Sequence, residues 1–163
     1  MKRLHIVGGR NHGKTTLIVE LVRIFNRRGI RVGTIKHTCH RHALDTPGKD
    51  SHRQRSAGAD PAAIITPDGI GVYFNSGPGD EGYADLETLY RDCRFVLVEG
   101  HLSGSAAKIE VWRQEFGTEP LAVRYPHIEA VVSDDPVPGF ANVWKRSEKE
   151  ELADRVLELL KEA

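Results

Sequence analysis

Apolar positions along the chain change period several times, and these changes mark out its elements. Residues 3–7 (RLHIV) form a short apolar run that stops at Gly8 and Gly9, the pattern of a buried strand. From residue 14 the period becomes helical. Leu17, Ile18, Leu21, Val22 and Phe25 share one face, Arg27 and Arg28 sit in the last turn where the helix dipole favours cations, and Gly29 is placed to end the helix in a left-handed conformation. Residues 30–36 (IRVGTIK) alternate as a second strand. Strand, glycine loop, helix and strand in that order predict a parallel βαβ unit with a right-handed crossover.

Beyond it, residues 37–50 (HTCHRHALDTPGKD) carry little apolar content and read as a long surface loop, and loops of that length tend to be functional. Ser51 and Gln54 have capping-box spacing for a short helix to about residue 57. Residues 62–66 and 70–74 read as an antiparallel strand pair about the turn Pro67–Asp68–Gly69. A loop at 75–82 and a helix at 84–91 lead to 95–99 (FVLVE), the most apolar strand. Further strands are expected at 107–112 and 128–132. Ser147 with Glu150 forms a second capping box, opening a final helix striped by Leu152, Val156, Leu159 and Leu160. With 163 residues, no repeats and no linker, the expectation is one domain over 1–163. Its architecture is a three-layer α/β sandwich of the P-loop NTPase type. Its sheet is mostly parallel, and would be mixed if the 62–74 hairpin joined it.

The turn after the first strand carries chemistry. Gly8, Gly13, Lys14 and Thr15, within GGRNHGKT at 8–15, match G-x-x-x-x-G-K-[ST]. Such a loop turns tightly, so that its backbone N–H groups and the following helix N-terminus face phosphate with a fixed positive field. Lys14 reaches the β- and γ-oxygens as a point charge, and the Thr15 hydroxyl is placed to ligate Mg²⁺. An ordinary strand-to-helix turn has no need of Lys14 and Thr15 at those places. Enzymes of this kind also use an acid at the end of a neighbouring strand, and Glu99 follows four apolar residues in FVLVE. Lys14 and Glu99 are therefore the candidate catalytic pair, and Thr15 and Glu99 the candidate metal ligands.

Charge narrows the partners. Lys+Arg and Asp+Glu are both 23, so the balance gives no reason to expect nucleic acid, whose binders are normally basic. No apolar run is long enough to cross a bilayer, so no membrane partner is expected. Cys39 and Cys93 lack close pairing, and without an export signal the expected compartment is the cytoplasm. His37, Cys39, His40 and His42 crowd one loop without the spacing of a closed zinc module. Two rival functions follow from single features: a small-molecule kinase with Asp50 as base, and a metal-delivery chaperone built on the histidine loop. No N-K-x-D guanine-reading motif occurs, although Ser133, Asp134 and Asp135 follow a strand and offer a carboxylate for guanine N1 and N2.

The chain resembles the molybdopterin-guanine dinucleotide biosynthesis protein B (MobB) family. The resemblance rests on GRNHGKTTL at 9–17, IKHT at 35–38, PGKDS at 47–51, AGA at 57–59, LVEG at 97–100 and AKI at 107–109, and it runs from residue 4 to about 135. It departs where the family often has two histidines after KHT and acidic residues just beyond; here stand Cys39, His40, Arg41 and Ala43. The resemblance implies a GTP-binding protein of the signal-recognition-particle and MinD-like branch, using Mg²⁺, with weak GTPase activity. It also implies a homodimer that assists the molybdopterin guanylyltransferase in attaching GMP to molybdopterin, as an accessory to the molybdenum cofactor pathway. Arg10, Asn11, His12, Gly13, Lys14, Thr15 and Thr16 then form the nucleotide loop. Lys36, His37, Gly48, Lys49 and Asp50 face nucleotide or molybdopterin, and Lys108 falls on a family lysine of unclear role. Ligands in open α/β sheets sit outside the carboxyl ends of the strands, so the loop at 37–50 is expected on the nucleotide side.

Overall fold

The computed structural model describes residues 1–40, 44–77 and 80–162, save the side chain of Glu162. The chain divides into two compact units, Met1–Thr38 with Leu86–Ala163, and Cys39–Asp85. The first holds a six-stranded sheet in the order β2-β5-β1-β6-β7-β8. Its strands are β1 (Arg3–Val7), β2 (Val32–Lys36), β5 (Phe95–Glu99), β6 (Lys108–Val111), β7 (Ile128–Val132) and β8 (Val143–Trp144), and every pairing is parallel.

Side-chain alternation sorts the strand residues between two cores, as the two-residue period of a strand requires. Leu4 and Ile6 of β1, Phe95 and Leu97 of β5, and Ile109 and Val111 of β6 enter one core with Leu17, Leu21 and Phe25 of α1 (Lys14–Arg27) and Leu152, Val156 and Leu160 of α4 (Lys149–Glu162). On the other face Val7, Trp112 and Val131 pack with Leu102, Leu121 and Phe140 from the connecting segments. Gly29 ends α1 with φ 70°, and the Ile30 N–H reaches back to the Phe25 carbonyl at 2.9 Å, the six-residue closure of a helix that stops in the left-handed region. Across the α1–α4 seam, Arg28 forms ion pairs of 2.6 Å with both Glu150 and Asp154.

The second unit contains α2 (Asp50–Ser56) and the antiparallel hairpin of β3 (Ala62–Thr66) and β4 (Gly69–Tyr73). That hairpin forms its own two-stranded sheet, which leaves the large sheet wholly parallel. Asn75 closes on Asp60 through N–H and side-chain bonds of 3.1 and 2.8 Å, and the Arg55 guanidinium lies 4.8 Å from the centre of the Tyr73 ring. The helix expected at 84–91 splits into α3 (Glu81–Leu86) and a 3₁₀ turn at Glu87–Tyr90. Neither capping box is used as expected: Ser51 donates its hydroxyl to Asp45 at 3.1 Å and Ser147 to Asp134 at 2.7 Å. The cause is where each helix begins: Lys49 caps α2, which puts Ser51 inside it, and α4 starts at Lys149 with the Leu152 N–H bonded to the Glu148 carbonyl, which leaves Ser147 before the cap.

Candidate functional site

The strand-to-helix turn after β1 has the backbone its residue types predict. Gly8 (φ 136°) runs so close to β6 that a Cβ there would stand 2.3 Å from the Val111 carbonyl oxygen. Asn11 (φ 67°) and Gly13 (φ 96°) both take the left-handed region, and Gly13 caps α1. The first turn of α1 contains no acidic residue, so its amides keep their positive field. The Lys14 ammonium is held by the carbonyls of Gly8 at 2.9 Å and Gly9 at 2.7 Å, and burial pulls its pKa below the usual lysine range. Arg10, Asn11, Thr15 and Thr16 are exposed around it.

Parallel register brings the second acid to this turn. Glu99 is level with Ile6 of β1 and with Lys36 of β2. Its side chain is 15% exposed, its Oε2 accepts the Thr15 hydroxyl at 2.8 Å and its Oε1 lies 3.7 Å from the Lys36 ammonium. The two oxygen groups expected to serve one cation thus touch, and a hydroxyl with a carboxylate is a hard-oxygen donor set of the kind Mg²⁺ takes. Gly100 (φ 90°) lets the chain leave β5 without striking β2, since a Cβ there would come within 2.9 Å of the His37 carbonyl oxygen. His37 itself lies at this edge, its ring stacked on His101 at 3.9 Å with only 7° between the planes.

Several residues take places the sequence did not foretell. His12 is buried: its Nδ1 accepts the Arg113 backbone N–H at 3.1 Å, and its ring packs against Phe116 at 4.8 Å. What it presents to the loop's mouth is therefore backbone, and its ring pins the loop to the segment after β6. Arg113 was missed; its guanidinium lies 3.2 Å from where a Gly13 Cβ would stand, and the available signal was its place just past an apolar strand, the same signal that marks Glu99. Lys108 is buried with its ammonium donated to the carbonyls of Gly104 and Ala106, so it braces the turn before β6. Glu110 is buried too, accepts the N–H groups of Leu121 and Ala122 at 2.9 Å each, and burial raises its pKa. Lys49 and Asp50 belong to the second unit, where Lys49 is the N-cap of α2 and the Asp50 side chain is 94% exposed and 3.9 Å from Arg53. His42 lies outside the described residues. Among those described, no group of three or more His, Cys, Asp or Glu is arranged to hold a metal ion, and no helix is long and apolar enough to cross a membrane.

With this geometry in view, comparisons with known proteins give a consistent result. Residues 3–134 match the family model described as MobB, molybdopterin guanine dinucleotide synthesis protein B. The chain is 36% identical over 152 residues to the molybdopterin-guanine dinucleotide biosynthesis adapter protein of Escherichia coli (strain K12), covering 90% of this chain and 86% of that one. It is 32% identical over 144 residues to the adapter protein of the same description from Haemophilus influenzae, covering 82% and 75%. A crystal structure of molybdopterin-guanine biosynthesis protein B (mobB) superposes with a TM-score of 0.70 at 27% identity, covering 98% of this chain and 99% of that one.

Beneath the site, His5 of β1 is buried with its Nδ1 3.2 Å from the Gly100 carbonyl oxygen, and burial takes its pKa from 6.5 down to about 4. Because the unfolded chain takes up this proton first, the stability His5 lends is complete above pH 6.5. It drains away as the pH falls from 6.5 to about 4, and changes no further below that. His5→Gln is expected to flatten the fall of the thermal midpoint across that window, measured by circular dichroism. An unchanged slope would assign the acid sensitivity to other groups.

Proposed function

Because the chain belongs to the molybdopterin guanine dinucleotide synthesis protein B (MobB) family, we propose that this adapter binds GTP with Mg²⁺ at the loop of residues 8–15 and hydrolyses it weakly. In this reading it assists a guanylyltransferase in attaching GMP to molybdopterin. The observation that carries it is the 2.8 Å contact between Thr15 and Glu99 at the mouth of a glycine loop containing Lys14. The loop amides and the Lys14 ammonium neutralise the β- and γ-phosphates, and Lys36, 3.7 Å from Glu99, adds a further cation at the same edge. When bound, Mg²⁺ supplies charge neutralisation of the phosphate oxygens, with Thr15 and Glu99 as the residues to hold it. His37 and Lys36 are the residues of this edge we assign to the pterin side. The compartment we assign is the cytoplasm.

Assembly belongs to the same reading. Ala63 and Ile65 of β3 stand opposite Val72 and Ile70 of β4, on one face of the hairpin, and Ile65 and Ile70 are 77% and 69% exposed. An isolated two-stranded sheet with such a face is marginal in water, and a second copy of the same face covers it symmetrically. We assign a homodimer on this ground.

Two outcomes check the proposal. Lys14→Ala is expected to lose detectable GTP binding by calorimetry while its circular dichroism is unchanged, and Thr15→Ala to lose roughly ten- to a hundredfold of affinity only when Mg²⁺ is present. Retained GTP binding by Lys14→Ala would remove the basis of the reading. Light scattering is expected to give twice the 18.1 kDa chain mass, and Ile65→Lys with Ile70→Lys to give the single mass. A monomer at micromolar concentration with and without GTP would contradict the dimer.

A further inference from the structure

At the carboxyl ends of β6 and β7 lies a cleft of about 310 Å³, walled by Trp112, Arg113, Ser133, Asp135 and Arg146. That size sits at the lower end of small-molecule pockets, roughly 300–1,000 Å³. In the sheet order, Glu99 on β5 stands to one side of β1, and the cleft stands to the other. Arg113 is common to the cleft and the phosphate loop: its backbone N–H donates to the His12 ring at 3.1 Å, and its guanidinium lies against Gly13. A group that extends from phosphates on the loop toward β7 therefore meets this cleft, outside the carboxyl ends of parallel strands where ligands of open α/β sheets bind.

The acceptor pattern of the cleft is specific. Three carboxylates border it, and their hydrogen bonds separate them. Glu115 is 62% exposed and engaged by the Arg113 guanidinium at 3.1 Å. Asp134 takes both the N–H and the hydroxyl of Ser147 on one oxygen, at 2.8 and 2.7 Å, which fills that oxygen's two lone pairs. Asp135 differs. Its Oδ2 accepts a single N–H, from Gln114 at 2.9 Å, and its own N–H donates to the buried Ser133 hydroxyl at 3.0 Å. Those bonds fix the orientation of Asp135 and leave a lone pair on each of its two oxygens.

We propose that Asp135 reads the base of the bound nucleotide, accepting the N1–H and the exocyclic N2–H of guanine on its two oxygens. This rests on the triphosphate reading of the loop, and it supplies the guanine selection that the missing N-K-x-D motif would otherwise provide. Guanine offers two parallel donors on that edge. Adenine turns its N1 lone pair toward the carboxylate and is repelled, so the one residue both attracts the right base and rejects the wrong one. Xanthine keeps N1–H but presents a carbonyl at position 2, which a carboxylate rejects and an amide accepts as a partner for its own N–H.

The test is calorimetric titration of the full chain with Mg²⁺ and four triphosphates, those of guanosine, inosine, xanthosine and adenosine. The native chain is expected to bind GTP at least about tenfold more tightly than the inosine form, which lacks the amino group, and more tightly still than the other two. Asp135→Asn is expected to invert the order of GTP and xanthosine triphosphate while keeping the acceptor that Gln114 uses. Equal affinity of the native chain for all four overturns the base assignment and leaves the phosphate loop standing. Inversion by Asp134→Asn rather than Asp135→Asn also overturns it. No binding of any triphosphate by the native chain overturns the loop reading, and this assignment with it.

Discussion

The contact between the Thr15 hydroxyl and the Glu99 carboxylate, 2.8 Å across 84 positions of sequence, is the constraint on which the rest of this structure turns. It exists because β1 and β5 are parallel neighbours in a register that sets Ile6 beside Glu99. One strand ends in the glycine turn and the next ends in the acid, at the same edge. Parallel pairing with helical crossovers requires both sheet faces to be covered, and the buried Leu4, Ile6, Phe95 and Leu97 show one face doing so against α1 and α4. A shift of one residue in the β1–β5 register would turn Glu99 to the other face and separate it from Thr15.

Close backbone approach is the second requirement. Gly8 against Val111 and Gly100 against His37 are positions where a side chain has no room, and each lies where the chain leaves a strand for the site. The buried polar groups beneath serve the same geometry. Lys108 and Glu110, on the same face of β6, are each paired with backbone groups of the segments before and after that strand. Burial of either charge without these partners would cost several kcal/mol, so each pair fixes the segment it holds, the turn before β6 in one case and residues 121–122 in the other. The histidines His5, His37 and His101 pack together at the β5 end, where His101 adopts φ 63°.

Much of this was legible in the sequence because the signals were local. The span of β1, the end of α1 at Gly29, β5 with its terminal Glu99, and the hairpin at 62–74 all rest on periodicity or turn chemistry within a few residues. Longer-range outcomes were not legible. β8 is two residues long, too short to carry a period, and is recognisable only by its pairing with β7. That the hairpin stands apart from the main sheet depends on which edges meet, which no local pattern records. Ser51 and Ser147 had the spacing of caps, but α2 begins one residue before Ser51 and α4 two residues after Ser147, and both hydroxyls instead donate to Asp45 and Asp134. His12 sat in the motif, yet its ring turned inward to Arg113 and Phe116, partners about 100 positions away. Family membership is shown by comparison, whereas GTP and Mg²⁺ binding at the loop is a proposal drawn from that membership together with the Thr15–Glu99 contact.

The central claim is that Glu99 acts on the triphosphate through its place beside Thr15. Glu99→Gln keeps the shape of that side chain and one oxygen to accept the Thr15 hydroxyl, and it removes the charge. Charge stabilisation matters most where charge develops, so the account expects the rate of GTP hydrolysis with Mg²⁺ to fall roughly a hundredfold while GTP affinity changes only a few-fold. Parallel measurement of single-turnover hydrolysis and calorimetric affinity on native and Glu99→Gln protein decides the matter. Equal losses in rate and affinity, or no loss in either, would reduce Glu99 to a solvated carboxylate at the end of a strand.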